Sequence, residues 1–325
     1  MISIVLPAFN EEGGIGGTIE ALTASLEAAG IKGYEVLVVD DGSSDETAAR
    51  AAALGARVIT NLHNLGYGRS LKRGIQEASF DTIVIADADG AYPVEEIPGM
   101  LREFERGFDL LVGSRSNLDE HDRPVKRIMR RVLRRLVEVI AGRDVPDINS
   151  GLRVFRRQAV IPYFPMLCDT FSFTTSQTLA FMLDGRFVHF YPLHYASREG
   201  TSKVRLFRDA GRTLQYVVQT VLYSQPIRIF ILASALLLFG SLLSFALSLA
   251  TGLNIFYFMG FGGVLVSILV FGLGLLADLL KQILRQQSPP AFSAAAPPKP
   301  SLVPLSETKG TAYENSAARN RSAAG

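Results

Sequence analysis

Apolar and polar positions follow two rhythms along the N-terminal part of the chain. Short runs rich in Val, Ile and Leu, at Ile2–Pro7, Tyr34–Val39, Ala56–Thr60, Thr82–Ala86 and Asp109–Gly113, predict strands. Helical spacing over Ile15–Ala28, Asp45–Leu54, Gly68–Ala78 and Val94–Arg106 predicts the helices between them. Strands alternating with helices of this length indicate an α/β domain with a mostly parallel sheet. In such sheets ligands bind beyond the carboxyl ends of the strands.

Farther along, the rhythm gives way to unbroken hydrophobicity. Ile227–Ala250 and Ile255–Leu280 are each long enough, as helices, to cross a hydrocarbon core of about 30 Å. The short Thr251–Asn254 linker makes them an antiparallel hairpin. Arg205, Arg208, Arg212 and Arg228 precede it, and Lys281 and Arg285 follow it. The positive-inside rule therefore puts the N-terminal domain and the tail on the cytoplasmic side of the membrane. In RPVKRIMRRVLRRLVEVI, basic and apolar residues fall on opposite helical faces, predicting an interfacial helix over about 123–140. The expected organisation is a cytoplasmic domain over 1–204 and a juxtamembrane amphipathic helix over 205–226. Two membrane helices over 227–280 and a disordered tail over 286–325, rich in Ala, Pro and Ser, complete it.

Composition narrows the chemistry. The chain has 325 residues, 48% hydrophobic and 20% charged, and a net charge of only +2, which gives no case for a nucleic-acid partner. The single cysteine, Cys168, excludes an intrachain disulfide and a cysteine-based zinc cluster. His63, His121, His189 and His194 show no zinc-site spacing. No charged leader precedes ISIVLPAF, so a removable signal peptide is not expected. The glycine-rich GGIGGT and GYG fit neither the dinucleotide nor the ATP-binding fingerprint and read as helix starts and tight turns.

Polar groups gather where the predicted strands end: Pro7-Ala8-Phe9-Asn10-Glu11, Asp40-Asp41-Gly42-Ser43, Asp87-Ala88-Asp89 and Gly113-Ser114-Arg115. Asp87 and Asp89, one residue apart, repel each other unless a positive group sits between them. A carboxylate pair without imidazole or thiolate favours a hard ion, Mg²⁺ or Mn²⁺, completed by water and phosphate oxygens. A diphosphate leaving group would supply those oxygens.

IVLPAFNEE, VVDDGSSDET, ADADGAYP and GSR, in this order, resemble the nucleotide-sugar-binding half of inverting family 2 glycosyltransferases with the GT-A fold. INSGLRVFRR and SREGTSKV, followed by membrane helices, resemble the polyprenyl-phosphate branch of that family, which includes dolichol-phosphate mannose synthases and bactoprenol glucosyltransferases. The resemblance implies that Pro7, Phe9, Glu11 and Asp40 line a base and ribose pocket, with Asp41 close by, and that Asp87 and Asp89 hold the metal. It implies that Arg115 faces the phosphates, that Ser150 and Arg153 shape the acceptor side, and that Arg198, Ser202 and Lys203 lie on a loop closing over the site. Relatives often carry a Gln metal ligand where this chain has Ala91, and Phe9 replaces the commoner Tyr.

The implied reaction moves a sugar from a nucleotide diphosphate to a polyprenyl phosphate in the membrane. The acceptor phosphate is already anionic, so no strong general base is required. Asp89, Arg115, Arg198 and Lys203 form the expected catalytic set. Arg127, on the basic helix, joins Arg115, Ser150, Arg153, Ser202 and Lys203 toward the acceptor phosphate. Two other readings compete: a polysaccharide synthase, whose Gln-x-x-Arg-Trp motif is ruled out by the absence of Trp, and a non-catalytic membrane scaffold. Association into homo-oligomers through the membrane helices is also expected.

Overall fold

The computed structural model describes residues 1–115, 131, 134, 135, 137–194, 215, 218–223 and 225–287, with backbone only at 284–287. The predicted interfacial helix, juxtamembrane helix and tail fall largely outside the described residues, as do Arg127, Arg198, Ser202 and Lys203.

ISIVLPA forms β1 (Ile2–Ala8), buried at every position as a central strand covered on both faces should be. Its neighbours are β2 (Tyr34–Asp40) and β4 (Thr82–Ile85), both parallel to it, and β3 (Arg57–Thr60) continues the parallel set beyond β2. On the other side of β4 the pattern changes. β6 (Arg153–Arg156) lies antiparallel between β4 and β5 (Leu110–Arg115), and β7 (Val188–Leu193) runs parallel to β5 at the edge. The resulting order is β3-β2-β1-β4-β6-β5-β7. Because β6 is reversed, the residues that precede it reach the same edge as those that follow β1, β2, β4 and β5.

Helices α1 (Ile15–Ala28) and α4 (Ile97–Phe104) cover one face of the sheet, with Ile19, Leu22, Met100 and Phe104 packed against Ile4, Leu6, Val38 and Val154. Helix α3 (Tyr67–Glu77) and helix α5 (Phe173–Leu183) cover the other, where Leu71, Ile75, Phe173 and Phe181 meet Val5, Leu37, Ile85 and Phe155. The small α2 (Thr47–Ala53) starts later than the predicted Asp45 because the Asp45 carboxylate accepts from the Thr47 backbone and hydroxyl, a local turn that competes with helix. The predicted Val94–Arg106 helix divides into a 3₁₀ turn, Val94–Glu96, and α4, whose first turn contains Pro98.

The hydrophobic runs near the C-terminus form α6 (Pro226–Thr251) and α7 (Asn254–Gln287), joined through Gly252, whose φ of +69° caps α6 in the left-handed region. Both are long and apolar enough to cross a membrane, with a mean hydropathy of 2.4 and only 11% of an 18-residue apolar stretch of each buried. Their burial is inverted relative to the sheet domain. Ser234, Ser241, Ser244 and Ser267 are buried, whereas Leu236, Phe239, Phe258 and Leu276 are exposed. Two of these hydroxyls find acceptors across the hairpin, Ser267 on the Ser234 carbonyl at 2.8 Å and Ser244 on the Phe256 carbonyl at 2.7 Å. Small residues permit that approach: a side chain at Gly263 would collide with Ser241, and one at Gly274 with Phe230.

Candidate active site

The loop after β1 is tied to the loop after β2 by Asn10. Its backbone adopts φ 54°, a left-handed conformation that Asn tolerates better than most residues. Its N–H donates to Ser43 Oγ at 2.9 Å, and its Oδ1 accepts from the Ser44 N–H at 2.9 Å. Glu11 N–H donates to Thr47 Oγ1 at 2.9 Å. Phe9 and Glu11, on either side of Asn10, both face a cavity of about 370 Å³ at the carboxyl edge.

Pro7, Phe9, Glu11, Asp41, Asp87 and Asp89 all line that cavity, together with Asn64, Tyr67, Ser70 and Phe171. Asp40 is not among the lining residues: it is buried, and its Oδ1 accepts from the Ser43 N–H at 3.2 Å, closing the turn after β2. Asp41 is buried as well, and it organises the approach to α3. Its carboxylate accepts from Asn61 Nδ2 at 2.7 Å, Leu65 N–H at 2.9 Å and Gly66 N–H at 2.8 Å.

Asp87 and Asp89 leave the end of β4 facing the cavity. Tyr67 Oη donates to Asp87 Oδ1 at 2.8 Å, and the Ala91 N–H donates to Asp89 Oδ1 at 3.0 Å. Burial, reinforced by the Asp87 charge, pushes the Tyr67 hydroxyl well above its ordinary range, so it keeps its proton and acts as a donor. Gly151, from the strand end opposite, closes on this group. A Cβ there would lie 2.6 Å from Tyr92 Oη and 3.2 Å from Asp87 Oδ1, so a side chain at this position would have to displace one of them.

The basic residues of the edge are held differently. Arg115, the last residue of β5, makes a two-point pair with Asp147, Nε to Oδ2 at 2.7 Å and Nη2 to Oδ1 at 3.0 Å. Burial, the largest influence on Asp147, raises its pKa, but the Arg115 guanidinium and the Arg115 and Asn149 N–H groups outweigh it. The carboxyl ends below its usual range. Arg153 is fully buried on β6, with Nε on the Ser150 carbonyl at 2.7 Å, Nη2 on the Ile148 carbonyl at 3.0 Å and Nη1 on Thr178 Oγ1 at 2.7 Å. It thus pins the loop before β6 to α5. Ser150 is buried in that loop.

Sequence reasoning gave no role to Tyr67, Asp147, Gly151 or Phe171, and named Asn10 only as part of the polar stretch after the first strand. Asn10 and Gly151 sit inside motifs that were legible, and Tyr67 sits in the GYG turn. Asp147 lies 32 residues from Arg115, beyond any local pattern.

A divalent cation suits this donor set. Four carboxylates, Glu11, Asp41, Asp87 and Asp89, line the cavity, and no Lys, Arg or His does so among the described residues. Asp41 is balanced by three N–H donors, which leaves Asp87 and Asp89 as the adjacent pair at the strand end. Among the described residues no group of three or more His, Cys, Asp or Glu side chains forms a closed metal cage. Two hard carboxylates with room for phosphate and water oxygens match Mg²⁺ or Mn²⁺ better than a softer metal.

The membrane hairpin is anchored to the far end of the same scaffold. Gln225 Nε2 donates to the Leu183 carbonyl at the end of α5 at 2.8 Å, and Arg228 donates to the Ile140 carbonyl. Ile229 packs on a buried cluster that includes Ile148, Leu179 and Val221. One end of α5 thus meets the foot of α6, and the other follows Phe171 at the cavity.

Known proteins share this architecture. Residues 3–164 match the family described as glycosyl transferase family 2. The undecaprenyl-phosphate 4-deoxy-4-formamido-L-arabinose transferase of an Enterobacter species is 31% identical over 259 residues, covering 75% of this chain and 72% of that protein. Its Yersinia pestis counterpart is 30% identical over 271 residues, covering 77% of each. Among solved structures, glucosyl-3-phosphoglycerate synthase from Mycobacterium tuberculosis, in complex with Mn²⁺, uridine diphosphate and glucosyl-3-phosphoglycerate, superposes with a TM-score of 0.53 at 23% identity. It covers 68% of this chain and 78% of that one. Mannosyl-3-phosphoglycerate synthase from Rubrobacter xylanophilus gives the same TM-score at 22% identity, covering 68% and 72%. The fold is that of the GT-A glycosyltransferases, and the chain belongs to glycosyltransferase family 2.

Proposed function

We propose that this enzyme transfers a sugar, with inversion, from a nucleotide-diphosphate donor to a polyprenyl phosphate held in the membrane. The observation that carries the donor half is the charge of the cavity: two adjacent carboxylates, Asp87 and Asp89, in a lining without a basic residue among the described residues. A nucleotide diphosphate would be repelled there unless a cation accompanied it. Asp87 and Asp89 would hold Mg²⁺ or Mn²⁺, which when bound would offset the charge that develops on the departing diphosphate.

The chain's own residues divide the remaining work. Pro7 and Phe9 offer an apolar wall for the base, while Glu11 and the loop ordered by Asp41 border the ribose. Arg115, fixed by Asp147 at the β5 end, would align an incoming phosphate. Ser150 and Arg153 act one layer back, shaping the loop on the acceptor side. The roles given to Arg198, Ser202 and Lys203 rest on the sequence resemblance, and that given to Arg127 on the basic helix expected over about 123–140; all four lie outside the described residues.

The acceptor half draws support from the relatives, which are named as undecaprenyl-phosphate transferases, and from the two apolar helices. A polyprenyl phosphate keeps its head at the lipid surface, and the joint made by Gln225 and Arg228 would mount the site at that height, with the domain on the cytoplasmic side. Purified protein in lipid should move radiolabel from a nucleotide sugar to extractable polyprenyl phosphate and leave the dephosphorylated polyprenol unlabelled. Equal labelling of both lipids, or of neither under any donor, would overturn the proposal.

A further inference from the structure

Tyr67 sits at the start of α3, and its hydroxyl donates to Asp87 Oδ1 at 2.8 Å. Its ring stacks on Phe171, the centroids 5.5 Å apart and the planes inclined by 19°. The loop carrying Phe171 is itself gripped by α3. Lys72 Nζ donates to the Leu167 carbonyl and to Asp169 Oδ1, each at 2.6 Å, and the Arg69 N–H donates to the Asp169 carbonyl at 3.1 Å. Gly68 approaches the Cys168 carbonyl so closely that no side chain fits between them. The first two turns of α3 therefore present the tyrosine and fasten the aromatic ring that stacks on it.

The opposite side is equally constrained. Gly151 donates its N–H to Tyr92 Oη at 2.9 Å, and a Cβ at this position would lie 3.2 Å from both Tyr67 Oη and Asp87 Oδ1. Asp87 is thus gripped between a stacked tyrosine and a bare backbone. A tyrosine this well fixed has a geometric consequence, because its hydroxyl on Oδ1 restrains the rotation of the carboxylate.

We propose that Tyr67 is a positioning residue for the cation site, orienting the Asp87 carboxylate toward the ion. The inference rests on the reading of Asp87 and Asp89 as cation ligands. Carboxylates that bind metals are commonly held by a second hydrogen bond, and loss of that partner typically weakens metal binding about 10–100-fold. Among the described residues no third carboxylate joins Asp87 and Asp89 in a metal-holding group, so the orientation of each counts for more. Phe171 acts through Tyr67, and the Lys72–Asp169 pair acts through Phe171.

Tyr67→Phe keeps the ring and its stacking and removes only the hydroxyl. Mn²⁺ uptake by the full-length protein, followed by the electron paramagnetic resonance signal of the free ion with uridine or guanosine diphosphate present, reads the effect directly. The Mn²⁺ dissociation constant should rise about 10–100-fold, and excess Mn²⁺ should restore transfer toward the wild-type rate. An unchanged constant would overturn the inference, as would an equal loss of nucleotide binding with and without Mn²⁺. Should Tyr67→Phe fail to fold, Phe171→Leu carries the test: a rise of about threefold supports the role, and no rise overturns it. Wild-type protein that takes up no Mn²⁺ would remove the cation reading itself, an outcome visible before any variant is made.

Discussion

The carboxyl edge of the sheet has an acidic half and a basic half, and they are finished in opposite ways. Glu11, Asp41, Asp87 and Asp89 come from the ends of β1, β2 and β4 and line an open cavity. Arg115 and Arg153 come from β5 and β6, where Asp147 clamps the first in two contacts and backbone carbonyls and Thr178 enclose the second. Like charges gathered at one edge are costly to hold together, so the acidic half is suited to a ligand that brings its own positive charge. The basic half has its charge held in place by protein, which suits alignment of an anion rather than strong capture.

Removing divalent cations should break the acidic half outright. Chelation with EDTA should lower transfer by about a thousandfold or more, with recovery on adding Mn²⁺ or Mg²⁺, measured as label in extracted lipid. Asp147→Ala should strike the basic half, loosening Arg115 and leaving it without its two-point partner. A loss of about 2–3 kcal/mol is expected by denaturant unfolding, below the value for a fully buried pair because Arg115 is 26% exposed. Transfer should fall about 10–100-fold.

The same pair gives a pH signature. The folded-state pKa of Asp147 lies below the value of about 3.9 for an unfolded chain. Its stabilisation is therefore complete above that value and is lost as the pH falls through the lower, folded one. The stability gap between wild type and Asp147→Ala should close over that acidic interval.

Gly151→Ala tests the seam between the halves. The new methyl must displace Tyr92 or the Asp87 carboxylate, costing about 1–2 kcal/mol of stability and about tenfold in transfer. Ser267→Ala, far from the edge, should lower hairpin stability by only about 0.6 kcal/mol in detergent unfolding and leave transfer unchanged.

The two halves also differed in how legible they were. β1, β2, β4 and β5 announce themselves because strands in a covered parallel sheet are short, unbroken apolar runs, and the acidic residues directly follow three of them. β6 is only four residues, RVFR, flanked by charge, so its apolar pattern is too brief to mark a strand. Its reversed direction is what delivers Gly151 and Ser150 to the edge, and nothing local encodes a reversal. α5 buries polar Thr174, Thr175, Gln177 and Thr178, with Thr175 donating to Asn149 in the loop that Arg153 pins, and this masks the amphipathic stripe a surface helix would show. The hairpin was legible for the opposite reason: lipid demands hydrophobicity all round, and α6 and α7 supply it.

The most direct test of the account is transfer by Asp89→Asn, a nearly isosteric change that removes one negative charge from the pair at the end of β4. With saturating Mn²⁺, donor sugar and polyprenyl phosphate, label in the lipid should fall by about a thousandfold while the protein unfolds at a temperature close to that of wild type. Wild-type transfer by the folded variant would contradict the assignment of this carboxylate pair to the leaving diphosphate.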